Sequence, residues 1–215
     1  MDLVSVVIPY FKKREYIQRC IQSVLVQNYQ KFEIIIVYDG KDFSDLEYIE
    51  TIAKKDKRIH IIKNYKLLGA GLSRNKGISI AKGKFIALLD GDDYWDKNKL
   101  KFQIKFMNDY NYLVSHTAYQ IIDKKNKKIS IRSARNFYEI QDLLYSCDIG
   151  LSTIILRKSI FSKSIKFPST KTKEDFILWL KILKRKIPII GLDKKLTYWR
   201  KLDNSLSSST IQKIF

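Results

Sequence analysis

The segment Asp90-Gly91-Asp92-Asp93 carries the densest chemistry in this chain. Three carboxylates within four residues repel one another unless a cation neutralises them. Carboxylate oxygens suit magnesium or manganese, hard cations that keep several waters and bind substrate phosphates as well. Gly91 lets the backbone turn tightly between them. The competing reading is an acidic surface turn ahead of a helix near Lys97, with Asp92 or Asp96 as its N-cap.

Three other segments have residue types of interest. In Asp39-Gly40-Lys41-Asp42 an aspartate could accept hydrogen bonds from a base or a ribose, although Asp-Gly is also a common turn. Gly69 and Gly71 stand at a helix start with Arg74 one turn in, so helix dipole and guanidinium together suit a diphosphate. The same piece half-matches the dinucleotide fingerprint G-x-G-x-x-G, with Asp90 about where a ribose ligand would lie. However, Arg74 replaces the third glycine, and the motif follows the third strand rather than the first. Glu174-Asp175 opens a helix, and a carboxylate there could act as general base on an acceptor hydroxyl. Thr172-Lys173-Glu174-Asp175 also matches a capping box, in which Asp175 bonds back to the Thr172 N–H, and on local sequence capping is the stronger of the two. His60 and His116 are lone and read as structural. Cys20 and Cys147 form no disulfide framework or zinc pattern.

These residues need elements to place them. Apolar, β-branched runs at 3–8, 34–37, 59–62 and 85–89 read as strands, separated by helices over 15–27, 46–53 and 69–80. Such alternation predicts a largely parallel sheet covered on both faces, with its ligand site beyond the carboxyl ends of the strands. Pro9-Tyr10, Asp39-Gly40 and residues 90–93 all fall there. In the second half, 97–107 and 175–183 read as helices. Residues 114–122, 129–132, 151–157, 189–190 and 196–199 read as strands, and 205–209 as a polar end. The expected organisation is one domain over 1–215, with a nucleotide-binding half (1–95) and an acceptor-facing half (96–215).

Composition narrows the classes. Lys and Arg total 41 and Asp and Glu 22, a formal net charge of +19. A basic surface attracts phosphate in nucleic acid, anionic lipid or a pyrophosphate-linked substrate, or simply reflects solvated lysine. No nucleic-acid signature is present, and the acidic triplet would repel phosphate without a metal. No run approaches the ~20 apolar residues of a membrane span, and the start does not read as a signal peptide. A cytoplasmic protein is expected.

Taken in order, the pieces resemble the family 2 glycosyltransferases. Residues 4–11 (VSVVIPYF) resemble the family's opening strand and nucleotide loop, and 23–29 with 32–37 its first helix and second strand. Residues 69–77 (GAGLSRNKG) are similar to its donor-contacting segment, and 88–95 (LLDGDDYW) to its D-x-D metal motif. Residues 174–180 (EDFILWL) are similar to the segment bearing its base, and 198–207 to its closing segment. The resemblance covers nearly the whole chain. It implies the glycosyltransferase-A fold, a Rossmann-like, mostly parallel sheet flanked by helices on both faces. It further implies inverting transfer of a single sugar from a nucleotide-sugar donor, of the UDP-sugar kind, to a saccharide or lipid-linked acceptor, in surface polysaccharide or glycolipid synthesis. Pro9, Tyr10, Asp39, Arg74, Asp90, Gly91 and Asp92 would then serve the donor, Asp92 and Asp93 would hold Mn2+ or Mg2+, and Asp175 would be the base. Glu174, Trp179 and Arg200 would border the acceptor. An enzyme of this kind would work at the inner face of an anionic membrane. The chain departs from the family at Tyr38, where an aspartate is usual, at Lys41, and at Leu202, where a histidine is usual. These departures leave open a weakened relative, beside a nucleotide- or dinucleotide-binding enzyme. The Q-x-x-R-W pattern of processive relatives is absent.

Overall fold

The computed structural model describes residues 1–202; the polar end at 205–209 lies outside them. Strands β1 (Val4–Tyr10), β2 (Phe32–Tyr38), β3 (Ile59–Lys63) and β4 (Phe85–Leu88) alternate with helices α1 (Arg14–Leu25), α2 (Phe43–Ala53) and α3 (Ala70–Ile80). β1 lies between β2 and β4, and β3 flanks β2, all parallel. Both faces of β1, β2 and β4 are covered, which explains their near-continuous apolar runs. Successive side chains in these strands point to opposite faces. Val4, Val6 and Ile8 accordingly pack with Ile17, Ile21 and Val24 of α1, while Val7, Ile35 and Val37 pack with Ile78 of α3 on the other side.

The rest of the described chain extends this sheet. It comprises β5 (Tyr94–Trp95), α4 (Lys99–Asp109), β6 (Val114–Ile122), β7 (Lys128–Arg132), α5 (Ile140–Tyr145), β8 (Ile155–Arg157), α6 (Glu174–Lys184) and β9 (Ile190–Arg200). The sheet order is β3-β2-β1-β4-β8-β6-β9-β5, with β7 paired to β6. The parallel order read from the sequence holds from β3 to β4. Beyond β4 the sheet is mixed, because β8 is antiparallel to both β4 and β6. α1, α2 and α4 cover one face, and α3, α5 and α6 contribute to the core of the other.

Local differences have physical reasons. The predicted strand at 151–157 begins as a 3-10 turn at Leu151–Thr153, whose side chains are buried, and only Ile155–Arg157 pairs. The two short strands predicted near 189–199 are one strand, β9. Its middle, Asp193-Lys194-Lys195, is exposed, so no apolar periodicity marked it. β5 and α5 were not expected, being only two and six residues long.

Candidate active site

The acidic loop leaves β4 and is held from several sides. The Asp90 amide donates to Ser152 Oγ at 3.0 Å, and that hydroxyl donates to Asp93 Oδ2 at 2.5 Å. Asp93 is only 2% exposed, and its Oδ1 accepts the Arg200 amide at 2.7 Å. Burial pushes its carboxyl well above the usual carboxylate range. The three aspartates therefore do not act alike. Asp93 faces inward and ties the loop to β9 and the turn at Ser152, contrary to its expected place beside Asp92 on a metal.

Asp90 and Asp92 stay partly open, with side chains 30% and 16% exposed. Asp90 Oδ1 accepts from Arg74 Nη2 at 2.7 Å, and Asp92 Oδ2 pairs with Lys13 Nζ at 2.5 Å. Among the described residues no three His, Cys, Asp or Glu side chains converge to cage a metal. Two carboxylates at i and i+2 fit a cation that takes the rest of its shell from water and substrate phosphate, as magnesium and manganese do.

Arg74 organises the neighbouring site. It projects from the first turns of α3 and is 4% exposed. One arm of its guanidinium reaches Asp90 and the other donates to Glu174 Oε1 at 2.9 Å. Gly71 permits this close approach, since a Cβ there would lie 2.9 Å from the Pro168 carbonyl oxygen and 3.1 Å from Glu174 Cγ. The adjacent Asp175 differs: its Oδ1 accepts the Phe176 amide, at 2.8 Å. Burial raises its pKa, which the Phe176 N–H partly offsets. Glu174 is thus committed to an ion pair, whereas Asp175 is a partly buried carboxylate with proton affinity to spare. No capping box forms here. α6 starts at Glu174 with Lys173 as N-cap in a left-handed conformation, without a side-chain cap hydrogen bond.

Residues 5–165 match the family described as Glycosyl transferase family 2. The chain belongs to this family. It is 35% identical over 214 residues to an Escherichia coli protein named UDP-Glc:alpha-D-GlcNAc-diphosphoundecaprenol beta-1,3-glucosyltransferase WfaP, covering 100% of this chain and 83% of that one. It is 36% identical over 198 residues to an uncharacterized glycosyltransferase of Rickettsia felis, covering 90% of this chain but 32% of the relative. Among solved structures, Staphylococcus aureus TarS 1-349 with UDP-GlcNAc superposes with a TM-score of 0.80 at 23% identity, over 98% of this chain and 61% of TarS. That likeness shows the fold, the glycosyltransferase-A fold expected from the sequence. The chain thus spans about a third of the rickettsial relative and about three fifths of the solved TarS chain.

In this family 2 glycosyltransferase several expected site residues are buried in the scaffold. Tyr10 is fully buried and its hydroxyl donates to Asp45 Oδ1 at 2.6 Å. Trp179, expected at the acceptor, is fully buried in the core around Leu178 and Ile182, and among the described residues its indole N–H has no partner. Arg200 is 4% exposed and fully engaged: Nε donates to the Asp92 carbonyl, Nη1 to the carbonyls of Asp123 and Lys124, and Nη2 to Asn126. It ties the acidic loop to the β6–β7 turn. Gly91 does not adopt positive φ, and a Cβ there would meet nothing closer than 3.5 Å. The helix expected from Lys97 starts at Lys99, and its N-cap is Asn98, not Asp92 or Asp96.

Pro9 lies at the end of β1, its carbonyl 3.8 Å from where a Gly91 Cβ would stand. Asp39 is buried after β2, accepting from Asn64 and the Leu68 amide on Oδ1 and from the Gly69 amide on Oδ2, so it anchors the loop that opens α3. Sequence reasoning missed Lys13 and Ser152. Lys13 lies 79 positions from Asp92, and Ser152 lies in a turn read as a strand; no local pattern pointed to either.

Proposed function

We propose that this chain transfers a single sugar, with inversion, from a UDP-sugar to a hydroxyl of a saccharide or lipid-linked acceptor in surface polysaccharide synthesis. The observation that carries the reading is the cluster beyond the carboxyl ends of β1 and β4. Asp90 and Asp92 stand on the acidic loop, Arg74 links Asp90 to Glu174, and Asp175 lies beside Glu174, outside that ion pair. One carboxylate acting as base is what single-step inversion needs. Asp175 takes the proton of the acceptor hydroxyl, the acceptor oxygen bonds to the anomeric carbon, and the bond from that carbon to the diphosphate oxygen breaks on the opposite side. The nucleoside diphosphate leaves with the bonding pair. Manganese or magnesium, when bound by Asp92 with Asp90, supplies Lewis-acid stabilisation of the departing diphosphate. Arg74 fixes Asp90 and sets the N-terminus of α6, and thereby Asp175, against the loop.

The E. coli relative named for a UDP-glucose donor and a diphosphoundecaprenol acceptor supports the UDP and lipid-linked parts of this reading. Among the described residues no helix is long and apolar enough to cross a membrane. Contact with a lipid-linked acceptor is then proposed through the +19 surface at an anionic bilayer. Hydrolysis of a panel of nucleotide sugars, with manganese, magnesium or EDTA, tests the function. Slow hydrolysis of one donor that disappears with EDTA and in Asp92→Ala is expected. Absence of hydrolysis together with absence of metal-dependent nucleotide binding would overturn it.

A further inference from the structure

Lys13 occupies a position where local chemistry disfavours a cation. It is the N-cap of α1 and makes no side-chain cap hydrogen bond. Helix N-termini carry positive partial charge and favour Ser, Thr, Asp or Asn at this place. Lys12 before it is held at φ +49°, in the left-handed region that residues other than glycine seldom adopt. Two locally unfavourable choices in succession mark a position selected for something other than the helix. The gain is across the site. Nζ of Lys13 reaches Asp92 Oδ2 at 2.5 Å, with the lysine side chain 31% exposed, and its Cβ lies 3.7 Å from where a Gly91 Cβ would stand. The lysine therefore lies along the acidic loop with its ammonium on the very carboxylate that fits a divalent cation.

We propose that Lys13 is a displaceable counter-cation for Asp92 and, once displaced, a ligand for the donor's diphosphate; this rests on the donor-site reading above. A divalent cation binding Asp92 Oδ2 must displace the ammonium, because two cations on one oxygen repel at close range. The flexible four-carbon stem then carries the freed charge to the nearest anion, the diphosphate bound to that same cation. Lys13 thus opposes metal binding alone and favours metal together with nucleotide. By linkage, metal and nucleotide raise each other's affinity.

The test compares Lys13→Met with Lys12→Met, which removes the same charge one residue away. Mn2+ binding is measured by calorimetry without nucleotide, and UDP binding is measured in saturating Mn2+. Relative to Lys12→Met, Lys13→Met is expected to bind Mn2+ alone about fivefold more tightly, and UDP with Mn2+ about fivefold more weakly, the scale of one partly exposed ion pair. Shifts of the same sign in both titrations, or values within twofold of Lys12→Met, overturn the inference while leaving the donor site standing. A wild type that binds neither Mn2+ nor UDP overturns both.

Discussion

At Glu174 and Asp175 two adjacent carboxylates differ sharply in what surrounds them. Glu174 is fixed by Arg74 at 2.9 Å, while Asp175 accepts one amide and is pushed by burial toward its protonated form. A base must be ionised to accept a proton. Activity should therefore fall as pH drops through the raised Asp175 pKa, with the acid limb lying above the ordinary carboxylate range. Asp175→Asn should lower kcat by about 10²- to 10⁴-fold with nucleotide binding retained. Stopped assays across pH, with calorimetry of UDP binding, check both points, and a variant that kept most of its activity would remove Asp175 from this role. Sequence flagged the pair but could not rank its members. Ranking them needed Arg74, 100 positions from Glu174.

At the scale of elements, the site depends on two helix N-termini meeting. α3 brings Arg74 and α6 brings Glu174 and Asp175, and Gly71 lets them touch. Gly71→Ala would place a methyl group 2.9 Å from the Pro168 carbonyl oxygen and 3.1 Å from Glu174 Cγ, so the backbone at Pro168 must shift and the Glu174 side chain must give way. A cost of about 1–3 kcal/mol is expected, with activity lost as Glu174 is levered from Arg74. Gly91→Ala should behave oppositely. Its φ is compatible with alanine and its nearest neighbour is at 3.5 Å, so stability should be unchanged or raised by about 0.4–1 kcal/mol. Urea denaturation separates the two, and loss of activity in a stable Gly91→Ala would report close approach of a ligand. The strands and helices of the first half were legible because their apolar periodicity is strong. The two-residue β5 and the exposed middle of β9 were not, because strands held by backbone pairing leave little apolar pattern.

For the whole molecule, the charge of +19 belongs to association rather than to folding. The protein should bind vesicles containing anionic lipid at low salt and release from them as salt rises past the physiological range, where the Debye length falls below about 8 Å. Sedimentation with vesicles of graded phosphatidylglycerol content measures this, and indifference to anionic lipid would exclude the charge from any membrane role. The charge is not uniform in kind. Lys99 is fully buried, with Nζ on Gln103 Oε1 and the Thr153 carbonyl, and burial lowers its pKa well below the usual lysine range. Composition cannot distinguish it from a solvated lysine. By itself the sequence determined the alternating first half, the place of the acidic loop at a strand end, and the family, since each rests on contiguous residues and on periodicity. Only the tertiary structure decided which of three aspartates turns inward, that Arg200 and Trp179 are buried, and that Lys13 lies on Asp92. Those outcomes depend on partners distant in the chain, and burial with hydrogen bonding, rather than residue type, assigns each side chain its part.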